Sequence, residues 1–240
     1  MTADLPCYEV FAIKYAELKA RPANEIAVGA DPHDAPVDMA YYVWLVRDGA
    51  AVFVVDTGFS EASAQRRGRK FLRSPADGLR ALQVDPGKVA DVIVTHLHYD
   101  HIGNAGLFPN ARFHIQDKEV AFATGRYMRH HFFRDMFEVE DILGFVRDVY
   151  GNRVVFHDGD DEIAPGLSVH LSPGHTPGLQ FVRVHTRQGW LVLAADACHY
   201  SRLRERDEVY PVVFNAGDLL ENYRKLSRLA SDDRLVDPRP

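Results

Sequence analysis

The sequence predicts a domain of the mixed α/β (α+β) class, in which two stacked β-sheets are flanked by helices. Strand patterns dominate the chain up to residue 55 and again from residue 154, and a few helical segments lie between them. Two β-rich halves separated by helices fit a layered architecture, because each sheet must bury an apolar face. The chain has 240 residues, of which 46% are apolar, so it can bury a core of ordinary size. We see no exact repeat and no linker, and we predict one domain spanning residues 1–240.

The first elements are predicted to be strands. Residues 8–14 alternate weakly and predict an edge strand, and residues 21–38 are rich in Pro, Asp and Ala, which predicts a long loop. The dipeptide Asp48-Gly49 lies between the apolar runs 41–46 and 51–55. That arrangement is a strong hairpin signal, so we predict that these two runs pair.

The middle of the chain is predicted to be largely helical. Five basic residues lie on a helix-compatible pattern and predict a solvated helix face rather than a phosphate or nucleic-acid patch: Arg66, Arg67, Arg69, Lys70 and Arg73. Residues 126–137 are aromatic and basic, and two interpretations stay open. They form either a helix that packs its aromatic side on a sheet or an insertion over the mouth of a site. Residues 138–149 have apolar positions near the 3.6-residue period, which predicts an amphipathic helix.

The remaining patterns predict strands and the helices between them. The predicted strands are residues 91–95, 112–115, 154–156, 167–171, 180–185 and 190–195. A helix is predicted at residues 117–124, directly after the second of these strands.

Composition excludes several classes of protein. The net charge is −6 and the pI about 6.0, which argues against a nucleic-acid binder. No apolar run approaches the length of a transmembrane helix, and the first residues lack the pattern of a secretory signal. We therefore expect a cytoplasmic protein without a membrane partner. Cys7 and Cys198 are too few for a disulfide framework, and we expect both to be small buried apolar residues. The sequence leaves a homodimer open.

Three histidines and an aspartate are concentrated in six residues, directly after the apolar run 92–94. His96 and His98 differ by two positions, so their side chains leave an extended segment on the same face. Asp100 and His101 follow where the chain must turn. Imidazole and carboxylate are the ligands that Zn²⁺ and its neighbours in the transition series prefer. We therefore predict a metal site at the end of this strand.

Two further segments place candidate ligands at strand ends. His175 lies in a loop with Gly and Pro on both sides, which fixes an irregular backbone that can aim one imidazole. Asp196 follows the apolar run 191–195, and a carboxylate in that position must find a cation or hydrogen-bond donors. Both residues are therefore candidates for the same site.

These motifs resemble those of a known family. The segment His96-Leu97-His98-Tyr99-Asp100-His101 resembles the His-x-His-x-Asp-His signature of the metallo-β-lactamase superfamily, and Gly174-His175-Thr176-Pro177-Gly178 resembles its Gly-His-Thr-x-Gly motif. The chain is most similar to the N-acyl-homoserine-lactone lactonase branch, at residues 36–58, 91–106 and 172–200. The resemblance implies an αββα four-layer sandwich with a two-metal site at one edge.

The resemblance also implies a role for each candidate ligand. His96, His98 and His175 would hold the first metal, Asp100 and His101 would hold the second, and Asp196 would bridge the two. Asp56 would support the metal-binding loop through hydrogen bonds, although an Asp before Gly also suits a simple turn. Two zinc ions are the expected cofactor, and Mn, Fe or Co suit the same nitrogen and oxygen ligands.

The C-terminus departs from the pattern of the family, which completes its second metal site with one more His near that end. No histidine follows His199 in this sequence. This departure predicts a truncated C-terminus and a weak second site. Asp237 is an alternative ligand.

The activity implied by the resemblance is metal-dependent hydrolysis of an ester bond: opening of a lactone ring by metal-bound hydroxide. The expected substrate is N-acyl-homoserine lactone, as in quorum quenching. Asp100 is expected to shuttle the proton, and His199 or Tyr200 to contact the substrate oxygen, because the lactonase branch usually has a Tyr three residues after the bridging Asp. The alternatives are a 4-pyridoxolactonase-like enzyme, a glyoxalase II-like thioesterase and a metal-poor relative that is not an enzyme.

Overall fold

The computed structural model describes residues 5–49 and 51–232, and within them the chain forms two sheets. The strands are β1 (Glu9–Arg21), β2 (Val37–Asp48), β3 (Ala51–Val55), β4 (Lys70–Phe71), β5 (Asp91–Ile93), β6 (Arg112–Gln116), β7 (Val154–His157), β8 (Asp161–Ala164), β9 (Leu167–Leu171), β10 (Gln180–Thr186) and β11 (Gly189–Leu193). The α-helices are α1 (Glu61–Arg66), α2 (Pro75–Ala81), α3 (Tyr99–Ile102), α4 (Asp117–Ala123), α5 (His131–Arg134), α6 (Val139–Tyr150), α7 (Ser201–Glu205) and α8 (Ala216–Leu229).

The larger sheet has seven strands in the order β4-β1-β2-β3-β5-β6-β7. The first four of these strands pair antiparallel, and β3, β5, β6 and β7 pair parallel. The predicted hairpin is confirmed, since Asp48 of β2 pairs with Ala51 of β3. Because the carboxyl ends of parallel strands lie at the same edge of a sheet, the loops after β3, β5 and β6 meet there.

The smaller sheet is antiparallel, in the order β11-β10-β9-β8. Three buried apolar clusters separate the layers. One lies between the sheets and includes Trp44 and Val182. The second, around Phe113, lies between the larger sheet and its helices, and the third, around Phe181, lies between the smaller sheet and α8. These layers confirm the predicted αββα sandwich.

One prediction about local structure is confirmed and another is wrong in part. Strand β1 is longer than predicted and extends to Arg21, but residues 9–14 pair with β2 alone among the described strands, which confirms the predicted edge strand; β4 pairs only with Ala16 and Glu17. The predicted helix face at residues 60–73 is interrupted, because α1 ends at Arg66. Gly68 then reverses the chain at a φ of 65°, a left-handed backbone conformation that favours glycine. Arg69 consequently lies away from the helix surface on which it was predicted.

Other outcomes are mixed. Helix α6 confirms the amphipathic prediction, although its first residue, Val139, is exposed. Cys198 is buried as predicted, whereas Cys7 is exposed, so that prediction is wrong. Strand β8 was missed.

None of the helices in the described ranges is long and apolar enough to cross a membrane. The predictions about Asp237 and the C-terminal end lie outside the described residues.

Candidate metal centre

The histidine-rich segment begins at the carboxyl end of β5. The chain continues from β5 to His98, whose backbone is extended, and α3 then begins at Tyr99, which turns Asp100 and His101 back toward the two preceding histidines. The backbone N–H of Thr57, after the parallel strand β3, donates to the carbonyl of His101 at 2.7 Å. The predicted turn after an extended segment is therefore what brings the four polar side chains to one place.

A first group of four side chains draws its members from both sheets. His96 and His98 come from the larger sheet, His175 from the loop after β9, and Asp196 from the turn after β11. One ligand atom from each lies within 4.8 Å of the others. His175 Nε2 is 3.0 Å from His98 Nδ1 and 3.2 Å from Asp196 Oδ2, and His96 Nε2 is 3.8 Å from the same oxygen.

A second group of three side chains shares Asp196 with the first. His101 Nε2 lies 3.4 Å from Asp196 Oδ1 and 3.8 Å from Asp100 Oδ2. Asp196 therefore presents one oxygen to each group. The structure thus brings together all six side chains that the sequence predicted as ligands.

The spacing and hydrogen bonding of these atoms fit a bound cation. Ligands at the usual zinc distances in a tetrahedron are about 3.3 Å apart, close to the separations seen in the first group. Among the residues that the structure describes, His96 Nε2 and Asp100 Oδ1 are buried without a hydrogen-bond partner. Such groups are costly to bury unless something else satisfies them. A divalent cation in each group would do so.

Burial favours the neutral, ligating form of three imidazoles. Desolvation lowers the pKa of His96 and His98 well below the ordinary value, and it lowers the pKa of His175 to about 3. The Nδ1–H of His175 donates to the carbonyl oxygen of Val212 at 2.7 Å, which leaves Nε2 with its lone pair directed at the group.

The second group has different electrostatics. Burial opposes the charged form of His101, but Asp56, Asp196 and Asp100 outweigh it and hold the pKa of His101 well above its ordinary value. Burial also raises the pKa of Asp100. Asp196 is desolvated as well, yet the imidazoles of His199 and His101 hold its pKa well below the ordinary range. Asp196 is therefore the carboxylate that stays charged.

Asp56 supports the histidine-rich segment from behind. Its Oδ2 accepts from His101 Nδ1 at 2.8 Å, and its Oδ1 accepts from the backbone N–H of Thr95 at 2.7 Å. Asp56 is 3% exposed, and its backbone has a φ of 62°. The carboxylate fixes which nitrogen of His101 faces Asp196. This contact is the supporting hydrogen bond that the sequence predicted.

Glu119 is a second buried support, and the sequence analysis missed it. This residue of α4 is 0% exposed. Its Oε1 accepts from the backbone N–H of Leu97 at 3.0 Å, and its Oε2 accepts from Thr176 Oγ1 at 2.6 Å. Gly178 also donates its N–H to this carboxylate. A Cβ at Gly178 would lie 2.0 Å from the Glu119 nitrogen, so only glycine permits the approach. Glu119 therefore ties the loop of His96 and His98 to the loop that carries His175.

The two predicted substrate-contacting residues lie beside Asp196. His199 Nε2 is 3.0 Å from Asp196 Oδ2, and its ring stacks on Tyr210 with centroids 3.5 Å apart. The hydroxyl of Tyr200 donates to the carbonyl oxygen of Asp38 at 3.3 Å. Both side chains line the same cavity as the His/Asp groups. Tyr210 was not singled out from the sequence, because nothing local distinguishes it from an ordinary loop tyrosine.

The cavity over the two groups has a volume of about 340 Å³. The segment at residues 126–137 combines both interpretations made from the sequence. Phe133 packs against Phe122 and Phe214, as a core-facing aromatic would. Met136 lines the cavity, and the ring of Phe137 packs edge-on against His98 with centroids 4.7 Å apart. The end of this segment therefore forms part of the wall of the site.

Comparison with known proteins agrees with this architecture. The family model of the metallo-beta-lactamase superfamily matches residues 37–235. An N-acyl homoserine lactonase of Bacillus cereus is 25% identical over 215 residues, which cover 83% of this chain and 80% of the relative. An N-acyl homoserine lactonase of Azorhizobium caulinodans is 32% identical over 161 residues, covering 63% of this chain and 57% of the relative.

A solved structure of a quorum-quenching N-acyl homoserine lactone lactonase has the same fold. It superposes with a TM-score of 0.75 at 22% identity, over 95% of this chain and 88% of the other. A dizinc quorum-quenching lactonase superposes with a TM-score of 0.73 at 18% identity, over 94% of this chain and 84% of the other. The layered fold, the convergent histidines and aspartates, and the family match lead to one conclusion: the chain belongs to the metallo-β-lactamase superfamily.

Proposed function

We propose that this protein is a metal-dependent hydrolase that opens lactone rings, with N-acyl-homoserine lactones as its substrates. The observation that carries the proposal is the convergence of four imidazoles and two carboxylates, of which His101, His175, Asp100 and Asp196 line one cavity. Relatives named N-acyl homoserine lactonase support the choice of substrate. A related solved structure holds the product N-hexanoyl-L-homoserine at its catalytic metal center, which supports the position of the reaction.

Two groups of residues would hold the cations, for which zinc is the first candidate. The first group is His96, His98, His175 and Asp196, and the second is Asp100, His101 and Asp196. Divalent cations supply Lewis acidity: they lower the pKa of water and polarise a carbonyl oxygen. Asp196 would be shared, because its two oxygens face different groups.

The side chains around these groups supply the proton transfers. Water adds to the lactone carbonyl carbon, the ring C–O bond breaks, and one proton passes from the water to the alkoxide that leaves. Asp100 is the candidate for this transfer, because its carboxylate belongs to the second group and lines the cavity in which the lactone would lie. His199 and Tyr200 line the cavity and are the candidates for contacting the substrate. A hydrogen bond from either to the substrate would replace the contact of His199 Nε2 with Asp196 Oδ2 or that of the Tyr200 hydroxyl with the carbonyl oxygen of Asp38.

The test is lactone opening by the purified protein, with metal content measured on the same sample. We expect proton release from both hexanoyl- and decanoyl-homoserine lactone, loss of activity after chelation, and recovery when zinc is restored. Metal-loaded protein that leaves both lactones closed would refute the proposed substrate class. Full activity after complete removal of metal would refute the mechanism.

A further inference from the structure

The cavity over the His/Asp groups is also lined by a cation that the proposed mechanism does not use. Arg69 lines the cavity together with Tyr41 and Tyr99, whose hydroxyls interact with its guanidinium. The reversal at Gly68 directs Arg69 here, because the backbone N–H of Arg69 donates back to the carbonyl of Ala64 at 2.8 Å. This set of three side chains, Arg69, Tyr41 and Tyr99, is called the Arg69 subsite below.

The hydrogen bonding of Arg69 is incomplete. Its Nη1 donates to the carbonyl oxygen of Arg67 at 2.6 Å. Its Nε is buried and has no hydrogen-bond partner in the described part of the chain. Within residues 5–49 and 51–232, no carboxylate oxygen lies within the 4.0 Å of an ion pair with this guanidinium. Among these residues, Arg69 is therefore a half-buried cation without a counter-ion.

Three other half-buried arginines differ from Arg69, because each has a carboxylate partner. Arg67 Nε lies 3.1 Å from Glu138 Oε1, and Arg153 Nη1 lies 2.9 Å from Asp148 Oδ1. Arg21, which also lines the cavity, has Glu25 at 3.4 Å and donates to the hydroxyl of Tyr210. Burying a charge without a partner is costly, and the cost is removed when a ligand brings the opposite charge. The missing partner of Arg69 therefore indicates an anionic group on the ligand.

We propose that the cavity also opens lactones that carry a carboxylate, a substrate class beyond the neutral N-acyl-homoserine lactones, with the carboxylate at the Arg69 subsite and the ring at the His/Asp groups. The inference rests on the proposed lactone-opening function. A planar guanidinium flanked by phenol hydroxyls offers charge-assisted hydrogen bonds that match a carboxylate. A volume of about 340 Å³ suits a small lactone acid.

The test uses a matched pair of small substrates, 5-oxotetrahydrofuran-2-carboxylate and its neutral carboxamide. In the zinc-loaded wild-type protein we expect kcat/KM for the carboxylate to exceed that for the carboxamide about tenfold or more. Arg69→Met should lower kcat/KM for the carboxylate about 10- to 100-fold, mainly through KM, and change the carboxamide less than about threefold. Arg73→Met, which changes an exposed arginine four residues away, should leave both unchanged.

A second variant separates the loss of the carboxylate contact from a general loss of folding. Arg69→Lys keeps the positive charge but not the planar fork, and we expect it to retain part of the preference for the carboxylate. Equal losses for both substrates in the Met and Lys variants would overturn the proposal, because Arg69 would then have only a structural role. A wild-type protein that prefers the carboxamide would overturn it as well.

Direct binding separates this inference from the proposed function. The probe is 3-oxocyclopentane-1-carboxylate, whose ring cannot be hydrolysed, titrated calorimetrically into the wild-type and Arg69→Met proteins. Binding that depends on Arg69, in a protein that opens no lactone, would support the anion subsite and refute the proposed function. Opening of neutral lactones without any binding of the probe would refute the subsite and leave the function standing.

Discussion

The two ligand groups differ in how much of the protein holds them. The first group has four side chains that come from both sheets, and its imidazoles are almost fully buried. The second has three, of which two come from the short segment at Asp100 and His101 and only Asp196 comes from the smaller sheet. More ligands in a more rigid frame bind a cation more tightly. We therefore expect a tight first site and a weaker second one.

The residues that support the two groups also differ, and they hold the first group more firmly than the second. Glu119 and the carbonyl oxygen of Val212 fix the first group from two sides of the fold. Asp56 contacts only one ligand of the second group, His101, although it also holds the backbone of Thr95, the residue before His96. The following variants test this difference, in order of decreasing effect.

Removing a ligand of the first group should have the largest effect. His98→Ala deletes the Nδ1 that lies 3.0 Å from His175 Nε2, so we expect loss of the tight cation. Lactone opening should fall by more than about 100-fold, beyond what the loss of a supporting contact costs. His33→Ala, in an exposed loop, is the control. An active His98→Ala protein with unchanged metal content would contradict the assignment.

Removing the support of the second group should have the next largest effect. Asp56→Asn withdraws the carboxylate from His101 Nδ1 and from the Thr95 N–H. We expect the weaker cation to bind about 10- to 100-fold less tightly, with a smaller change at the first group. The exposed Asp34→Asn serves as the control. If the tighter cation were the one lost, Asp56 would not belong to the second group.

Replacing Glu119, which supports the first group, should weaken the first metal site more than the second. Glu119→Gln keeps the volume but leaves one side-chain oxygen in place of the two that accept from the Leu97 N–H and from Thr176 Oγ1. We expect about tenfold weaker binding of the tight cation. Asp117→Asn, on the exposed side of α4, should bind as the wild type does. An equal loss of cation affinity at both groups would mean that Glu119 supports both metal sites and not the first alone.

The smallest effect is a difference in pH dependence. The pKa of His175 is lowered to about 3, so protons compete poorly for the first group. The pKa of His101 is raised well above its ordinary value, so protons compete strongly for the second. Lowering the pH from about 8 to about 6, across the ordinary range of imidazole, should therefore weaken the second site and leave the first nearly unchanged. Metal titrations at both pH values measure this, and a reversed order would contradict it.

The sequence predicted the parts of the site that depend on local chain geometry. His96 to His101 are close in sequence, and His175 and Asp196 each follow a strand that ends at the site. Residues that depend on tertiary packing were missed. Glu119 lies near the start of a helix, where an acidic side chain is usually solvated, and only the docking of Gly178 buries it.

As with the site, the parts of the fold that depend on local sequence patterns were predicted. The hairpin at Asp48-Gly49 and the layered order of sheets and helices followed from turn chemistry and apolar patterns. The basic stretch at residues 60–73 was misread, because the helical period does not reveal the reversal at Gly68. That reversal places Arg69 in the cavity, so an error in local structure concealed a candidate substrate contact.

Stepwise calorimetric titration of the metal-free protein with Zn²⁺ tests the central claim most directly. The account predicts two binding steps of one ion each, with dissociation constants separated by about tenfold or more. It also predicts that lactone opening follows the filling of these sites. A protein that binds no zinc, or binds two ions without gaining any hydrolytic activity, would contradict it.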